Sequence, residues 1–318
     1  ALARFERALN LLEGLGTNDL SADILRWAGT IHRELGASGV AEQHYAQSLR
    51  MAEAAGHASG EGNALNCLAI VAQRRGQMEV AGGFYRRALR IAANIGDDRL
   101  RGMIEQNLGV MSSIRGELDG ALVRYRDSLN AFEAAGDEEG MCWVLNNLGM
   151  LYTTLGEHAL AQEGLGRGLE IAVRRVDLRM ESVLLLAVAA LRIAETEWQQ
   201  AEEPLNRALA LADAREDGMR RAEALKLMGR VDRELGRTEV AIERLEEAQD
   251  LALESGDLML MAEVALELGN AREAQGDVGR ATGLWASALG YFREVGAVVE
   301  AVDVETRLTE SGIESEMV

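Results

Sequence analysis

The chain has 318 residues, of which 48% are hydrophobic but only 4% aromatic, with 34 Gly, a single Pro and a net charge of −19. Scarce Pro beside abundant Ala, Leu, Glu and Arg predicts a nearly all-helical chain. The acidic balance argues against non-specific nucleic-acid binding, whose affinity comes from basic contacts to phosphate, and the longest apolar run, 183–191, is about half a bilayer span.

The charge is uneven. Residues 1–100 are balanced, 101–200 carry −6 and 201–318 carry −13, so the second half could attract a basic partner or simply form a solvated, solubilising face. Two cysteines, Cys67 and Cys142, suit a reducing cytoplasm better than a disulfide framework or a metal site. No charged-then-apolar leader opens the sequence, which again leads us to expect a cytoplasmic protein. One Lys against 32 Arg fits a GC-rich, bacterial coding sequence.

At the start, Ala1, Phe5, Leu9 and Gly16 match Ala41, Tyr45, Leu49 and Gly56. The chain is therefore expected to open on the second helix of a hairpin, its apolar side bare, although stable arrays normally end in polar caps. That pattern predicts a fragment of a longer protein, or self-association through an open N-terminal end.

From there a grid with a step of forty runs through the chain. Gly36, Gly76, Gly116, Gly156, Gly236 and Gly276 lie on it. So do Ala41, Ala81, Ala121, Ala161, Ala201, Ala241 and Ala281, with a third column of Tyr45, Tyr85, Tyr125, Leu165, Leu205, Leu245 and Trp285. Repeats are expected at 21–60, 61–100, 101–140, 141–180, 181–220, 221–260 and 261–300, with 1–20 a half-repeat and 301–318 a capping helix and tail.

Each unit reads as a helical hairpin. In "LNNLGMLYTTLGEHALA", residues 145–161, Leu145, Leu148, Gly149 and Tyr152 share one helix face. Gly156 supplies a left-handed helix end, and Ala161, Leu165 and Leu169 begin a second helix. Small residues at Gly149 and Ala161 let the two backbones approach. Repeat five departs: Thr196 replaces the turn Gly, and Pro204 sits inside the second helix, where Pro usually causes a kink. Its first helix, "SVLLLAVAALRIA", is apolar nearly all round and expects cover on every side.

The motif "NNLGMLYTTLGEHALA" resembles the tetratricopeptide repeat, with Leu148, Gly149, Tyr152, Gly156 and Ala161 at the family's positions. The likeness covers about 21–300, and the forty-residue spacing is similar to that of kinesin light chains and LGN/Pins-type scaffolds. The family's Pro after the second helix is absent. The resemblance implies an all-α, right-handed superhelical solenoid of antiparallel hairpins, about seven repeats long.

Subtracting the packing columns leaves a second face on each first helix. It comprises Asn63, Cys67, Ile70 and Arg74; then Met103, Asn107, Val110 and Ile114; then Trp143, Asn147, Met150 and Thr154. Stacked hairpins place such faces in a concave groove. There Asn107 and Asn147, flanked by Asn66 and Asn146, could hydrogen-bond an extended backbone, since an amide both donates and accepts. The resemblance implies the same, because related scaffolds hold partner peptides through Asn at this place. The alternative is that the amides tie neighbouring helices together. Trp143 is the expected anchor, with Met150, Val183 and Ala187 beside it. The farther face, with Glu223, Arg230, Glu234, Glu263 and Glu267, reads as solvated surface.

No catalytic or metal motif appears; His32, His44, His57 and His158 are scattered over turn and surface positions. The expectation is a non-enzymatic module without cofactor or metal that binds a protein or peptide, as adaptor or as the recognition part of a larger protein. The alternatives are the signal-sensing region of a STAND-type bacterial regulator, or a self-assembly module.

Overall fold

The computed structural model describes residues 19–310. The expected opening half-hairpin, with Phe5, Leu9 and Leu12, and the tail past 310 lie outside the described residues. Among the described residues there are fifteen helices and no strand. In chain order they are α1 Asp19–Glu34, α2 Ser38–Ala55, α3 Ala58–Arg74, α4 Met78–Ile95, α5 Asp98–Ile114, α6 Leu118–Ala135, α7 Glu138–Thr154, α8 His158–Arg174, α9 Leu178–Ala194, α10 Trp198–Ala214, α11 Gly218–Glu234, α12 Thr238–Ser255, α13 Leu258–Gln275, α14 Val278–Val295 and α15 Val298–Glu310.

The chain divides into two compact units, residues 1–151 and 152–318. In the first, α1 packs on α2, α3 on α4 and α5 on α6, while α3 and α5 also touch the first helix of the preceding hairpin. The second repeats the scheme with α9 on α10, α11 on α12 and α13 on α14, and with α15 closing against α14.

The alanine and aromatic columns explain this packing. Ala41, Ala81, Ala121, Ala161, Ala201, Ala241 and Ala281 are all completely buried. Tyr85 lies in a core built from three helices, with Leu65, Ala88, Ile104 and Leu108 around it. Close approach is enforced by small residues opposite the aromatic column: a Cβ on Gly109 would lie 2.6 Å from the Tyr125 ring, and one on Gly269 just 2.6 Å from Trp285. Each aromatic then needs a partner for its polar atom, and its own hairpin supplies one. Tyr45 donates to Thr30 Oγ1 at 3.2 Å, Tyr85 to Gln73 Oε1 at 3.0 Å and Trp285 Nε1 to Asn270 Oδ1 at 3.1 Å.

Helix starts carry a further device. Asp97, Asp137, Asp177, Asp217 and Asp257, again forty apart, each accept a bond from the backbone N–H three residues on, at 2.9–3.1 Å. Such N-caps satisfy a donor that the helix leaves open, at roughly 1 kcal/mol each.

Helix ends show where repeat five differs. At Gly56 the chain turns with φ 68°, and His57 N bonds to Ala52 O at 2.9 Å. Thr196 makes the same turn at φ 58°, with Glu197 N on Arg192 O at 2.9 Å, although it has no glycine. Val176 and Glu216 do likewise, so three successive turns are left-handed with a side chain in place. Pro204 does not interrupt its helix. The α10 helix runs unbroken over 17 residues with Pro204 buried inside it. The carbonyl that Pro cannot serve belongs to Gln200, an exposed residue where water can take the bond.

Candidate functional site

The face left over after packing lies on the first helices α3, α5 and α7 of the first unit, and on α9, α11 and α13 of the second. In the first unit the structure brings two of the expected residues together. Asn107 on α5 donates its amide to Asn66 Oδ1 on α3 at 3.0 Å. Asn66 is buried and Asn107 half-buried. Asn107 thus joins neighbouring hairpins, and its own carbonyl oxygen is still an acceptor.

The α7 residues are arranged differently. Asn146 is 7% exposed; its Nδ2 faces Met150 Sδ at 3.6 Å, and its Oδ1 is buried without a hydrogen-bond partner. A sulfur is a weak acceptor, so this amide is poorly satisfied. Asn147 and Trp143 are half-buried, and Met150 is 56% exposed.

Val183 and Ala187 lie on α9 in the second unit, each 8% exposed. They are covered in the chain as it stands, as the apolar character of that helix requires. Further along this unit the face is charged. Lys226 on α11 pairs with Glu263 on α13, and Arg233 meets Glu267 at 3.4 Å.

Sequence reasoning missed Trp27. It stands in the same column as Cys67, Asn107 and Asn147, is 43% exposed, and carries the Arg26 guanidinium 5.6 Å from its ring centroid. The forty-residue step would have found it. Column position alone does not mark a groove residue: Asn270 stands in the column of Met150 yet is buried as the Trp285 partner. The histidines are also less scattered than expected: His32 and His44 stack at 5.2 Å between ring centroids, and burial, then the neighbouring imidazole, lowers the His44 pKa. Among the described residues no group of three or more His, Cys, Asp or Glu could hold a metal, and no helix is long and apolar enough to cross a membrane.

Residues 60–134 match the tetratricopeptide repeat family model. No curated protein matches the chain by sequence. Among solved structures, the apo form of the quorum sensor NprR from B. thuringiensis is similar with a TM-score of 0.72 at 15% identity, over 92% of this chain and 82% of that one. The Rap conjugation gene regulator of plasmid pLS20, in complex with the Phr* peptide, gives 0.68 at 14% identity, over 87% and 75%. A STAND protein with a tetratricopeptide repeat sensor from Pyrococcus horikoshii gives 0.58 at 15% identity, over 85% of this chain and 43% of that one. At these identities the likeness is one of fold.

Proposed function

We propose that this tetratricopeptide repeat array binds a peptide along the first-helix face of its first unit, and that it works as an interaction module. The observation that carries the reading is the Asn146 amide, more than nine-tenths buried with an acceptor oxygen that nothing satisfies. Burying such a group unpaired costs roughly 1–3 kcal/mol, and a partner whose binding shifts α7 enough to open this oxygen to a backbone N–H would recover it. Asn107 and Asn147 offer further amide groups in line with it. Trp143, Met150 and Trp27 supply apolar surface on the same face, the mix of anchors and orienting polar groups that binding sites use. The solved Rap regulator of similar fold holds a peptide, which supports the same class of partner.

The test is selection of a displayed library of random decapeptides on the full chain, followed by hydrogen exchange of the complex with an enriched peptide. Protection on α3, α5 and α7 is expected. No enrichment, or protection confined to the second unit, would overturn the reading.

A second reading, the sensing part of a larger regulator, is favoured by the likeness to the P. horikoshii STAND protein. A nucleotide-binding domain encoded in the same reading frame would support it.

A further inference from the structure

The charged face of the second unit is not plain surface. It holds a cavity of about 220 Å³ between α11 and α13, closed at one side by the end of α14 and the start of α15. At ~30 Å³ per water the space holds about seven waters, and it falls below the ~300 Å³ where drug-sized ligands begin. That size suits a small molecule.

The lining has three kinds of surface. Leu227, Leu266 and the 1%-exposed Phe292 are apolar. On the cationic side stand Lys226, already paired with Glu263, and Arg230. The Nε of Arg230 is buried without an acceptor, and its nearest acid, Glu267 Oε1, is 3.9 Å away, too far for a hydrogen bond. On the anionic side are Glu267, shared between Arg230 and Arg233, and Glu300, exposed and in no ion pair among the described residues.

One guanidinium held only by a 3.9 Å ion pair to Glu267, one unpaired carboxylate and an apolar wall in a single small cavity complement a molecule with the reverse pattern. The geometry points to a free apolar α-amino acid as the ligand. Its carboxylate would meet Arg230, which can bind it in bidentate fashion, its ammonium Glu300, and its side chain Leu227, Leu266 and Phe292. A peptide end would not serve as well, because it carries only one of the two charges on its terminal residue. Lys226 and Glu263 neutralise each other and would hold the rim.

This site is in the other unit from the proposed peptide face, so either can fail alone. The test is calorimetric titration of the full chain with L-leucine, L-methionine and L-phenylalanine, and with two leucine analogues. One analogue, 4-methylpentanoate, lacks the ammonium; the other, 3-methylbutylamine, lacks the carboxylate. L-Leucine should bind, with each of its two analogues at least tenfold weaker. Arg230→Met should remove the advantage of the amino acid over the amine, and Glu300→Gln its advantage over the acid. Both side chains reach solvent, so the variants should keep the wild-type melting temperature. Asn107→Ala should leave amino-acid binding unchanged. No heat from any of the three amino acids at millimolar concentration would overturn the proposal. So would analogues that bind as well as the parent, or variants that bind like the wild type.

Discussion

Asn107 donates its side-chain amide to Asn66 Oδ1, 3.0 Å away on the neighbouring first helix. The bond crosses from one hairpin to the next, so a residue offered to a partner is at the same time part of the stack. Asn107→Ala should cost about 0.5–1.5 kcal/mol of stability, the net worth of one hydrogen bond. Urea denaturation of the single and double Asn66 and Asn107 variants checks this. The double variant should lose less than the sum of the two singles, because both remove the same bond.

Three consecutive turns hold Val176, Thr196 and Glu216 in the left-handed region, where glycine stands at the other turns. A side chain there is strained, most of all a β-branched one. Val176→Gly and Thr196→Gly should each stabilise the chain by about 0.5–1 kcal/mol, while Gly156→Val should cost at least as much. Equilibrium denaturation reads all three. A loss of stability in Thr196→Gly would show that the threonine side chain makes up for the strain.

Two glycines inside helices should respond in opposite ways. Gly109 has no room, since an added Cβ would lie 2.6 Å from the Tyr125 ring. Gly109→Val should therefore lose about 1–3 kcal/mol through overpacking. Gly83 on α4 has nothing within 4 Å of its would-be Cβ, and Gly83→Ala should gain about 0.5–1 kcal/mol from helix propensity alone. Thermal melts of the pair should shift in opposite directions.

The α7 cap makes stability depend on pH. Burial alone would raise the Asp137 carboxyl, but the Arg99 guanidinium at 2.7 Å and the Gly140 N–H hold it below the usual carboxylate range. A depressed acid contributes its full stability above its unfolded pKa, ~3.9, and loses it as pH falls through the lower folded value. Asp137→Asn should melt below the wild type at pH 7, with the gap closing below about pH 4. A gap that stays constant down to pH 2 would contradict this.

The repeat made most of the fold legible. A step of forty in Gly, Ala and aromatic residues forces the same hairpin again and again, and residues such as Ala81 and Tyr85 are buried where that register puts them. The same step also carried the capping aspartates, from Asp97 to Asp257, which draw no notice singly because surface Asp is common. The turn at Thr196 was less legible. A missing Gly suggests an irregular end, yet the six-residue bond from Glu197 to Arg192 holds the backbone in place regardless of the residue. Pro204 was misleading for a related reason, since its cost depends on whether the orphaned carbonyl is wet. The site was legible only in part. Column position tells which face a residue occupies, but Asn270 and Met150 share a column and only one is buried against a Trp indole. Whether Asn107 faces a neighbour or a ligand depends on a side-chain bond forty-one residues away, which no local pattern encodes.

Peptide binding at the first-helix face is tested most directly by measuring affinity and melting temperature on the same variants, with a peptide enriched from the decapeptide library as probe. The account predicts that Asn107→Ala with Asn147→Ala weakens the peptide by about 5- to 150-fold, the sum of two hydrogen bonds at 0.5–1.5 kcal/mol each. Trp143→Ala should cost more than either amide, as buried aromatic anchors do. Variants that melt lower yet bind the peptide as tightly as the wild type would contradict the account, and would leave the asparagines as ties between helices.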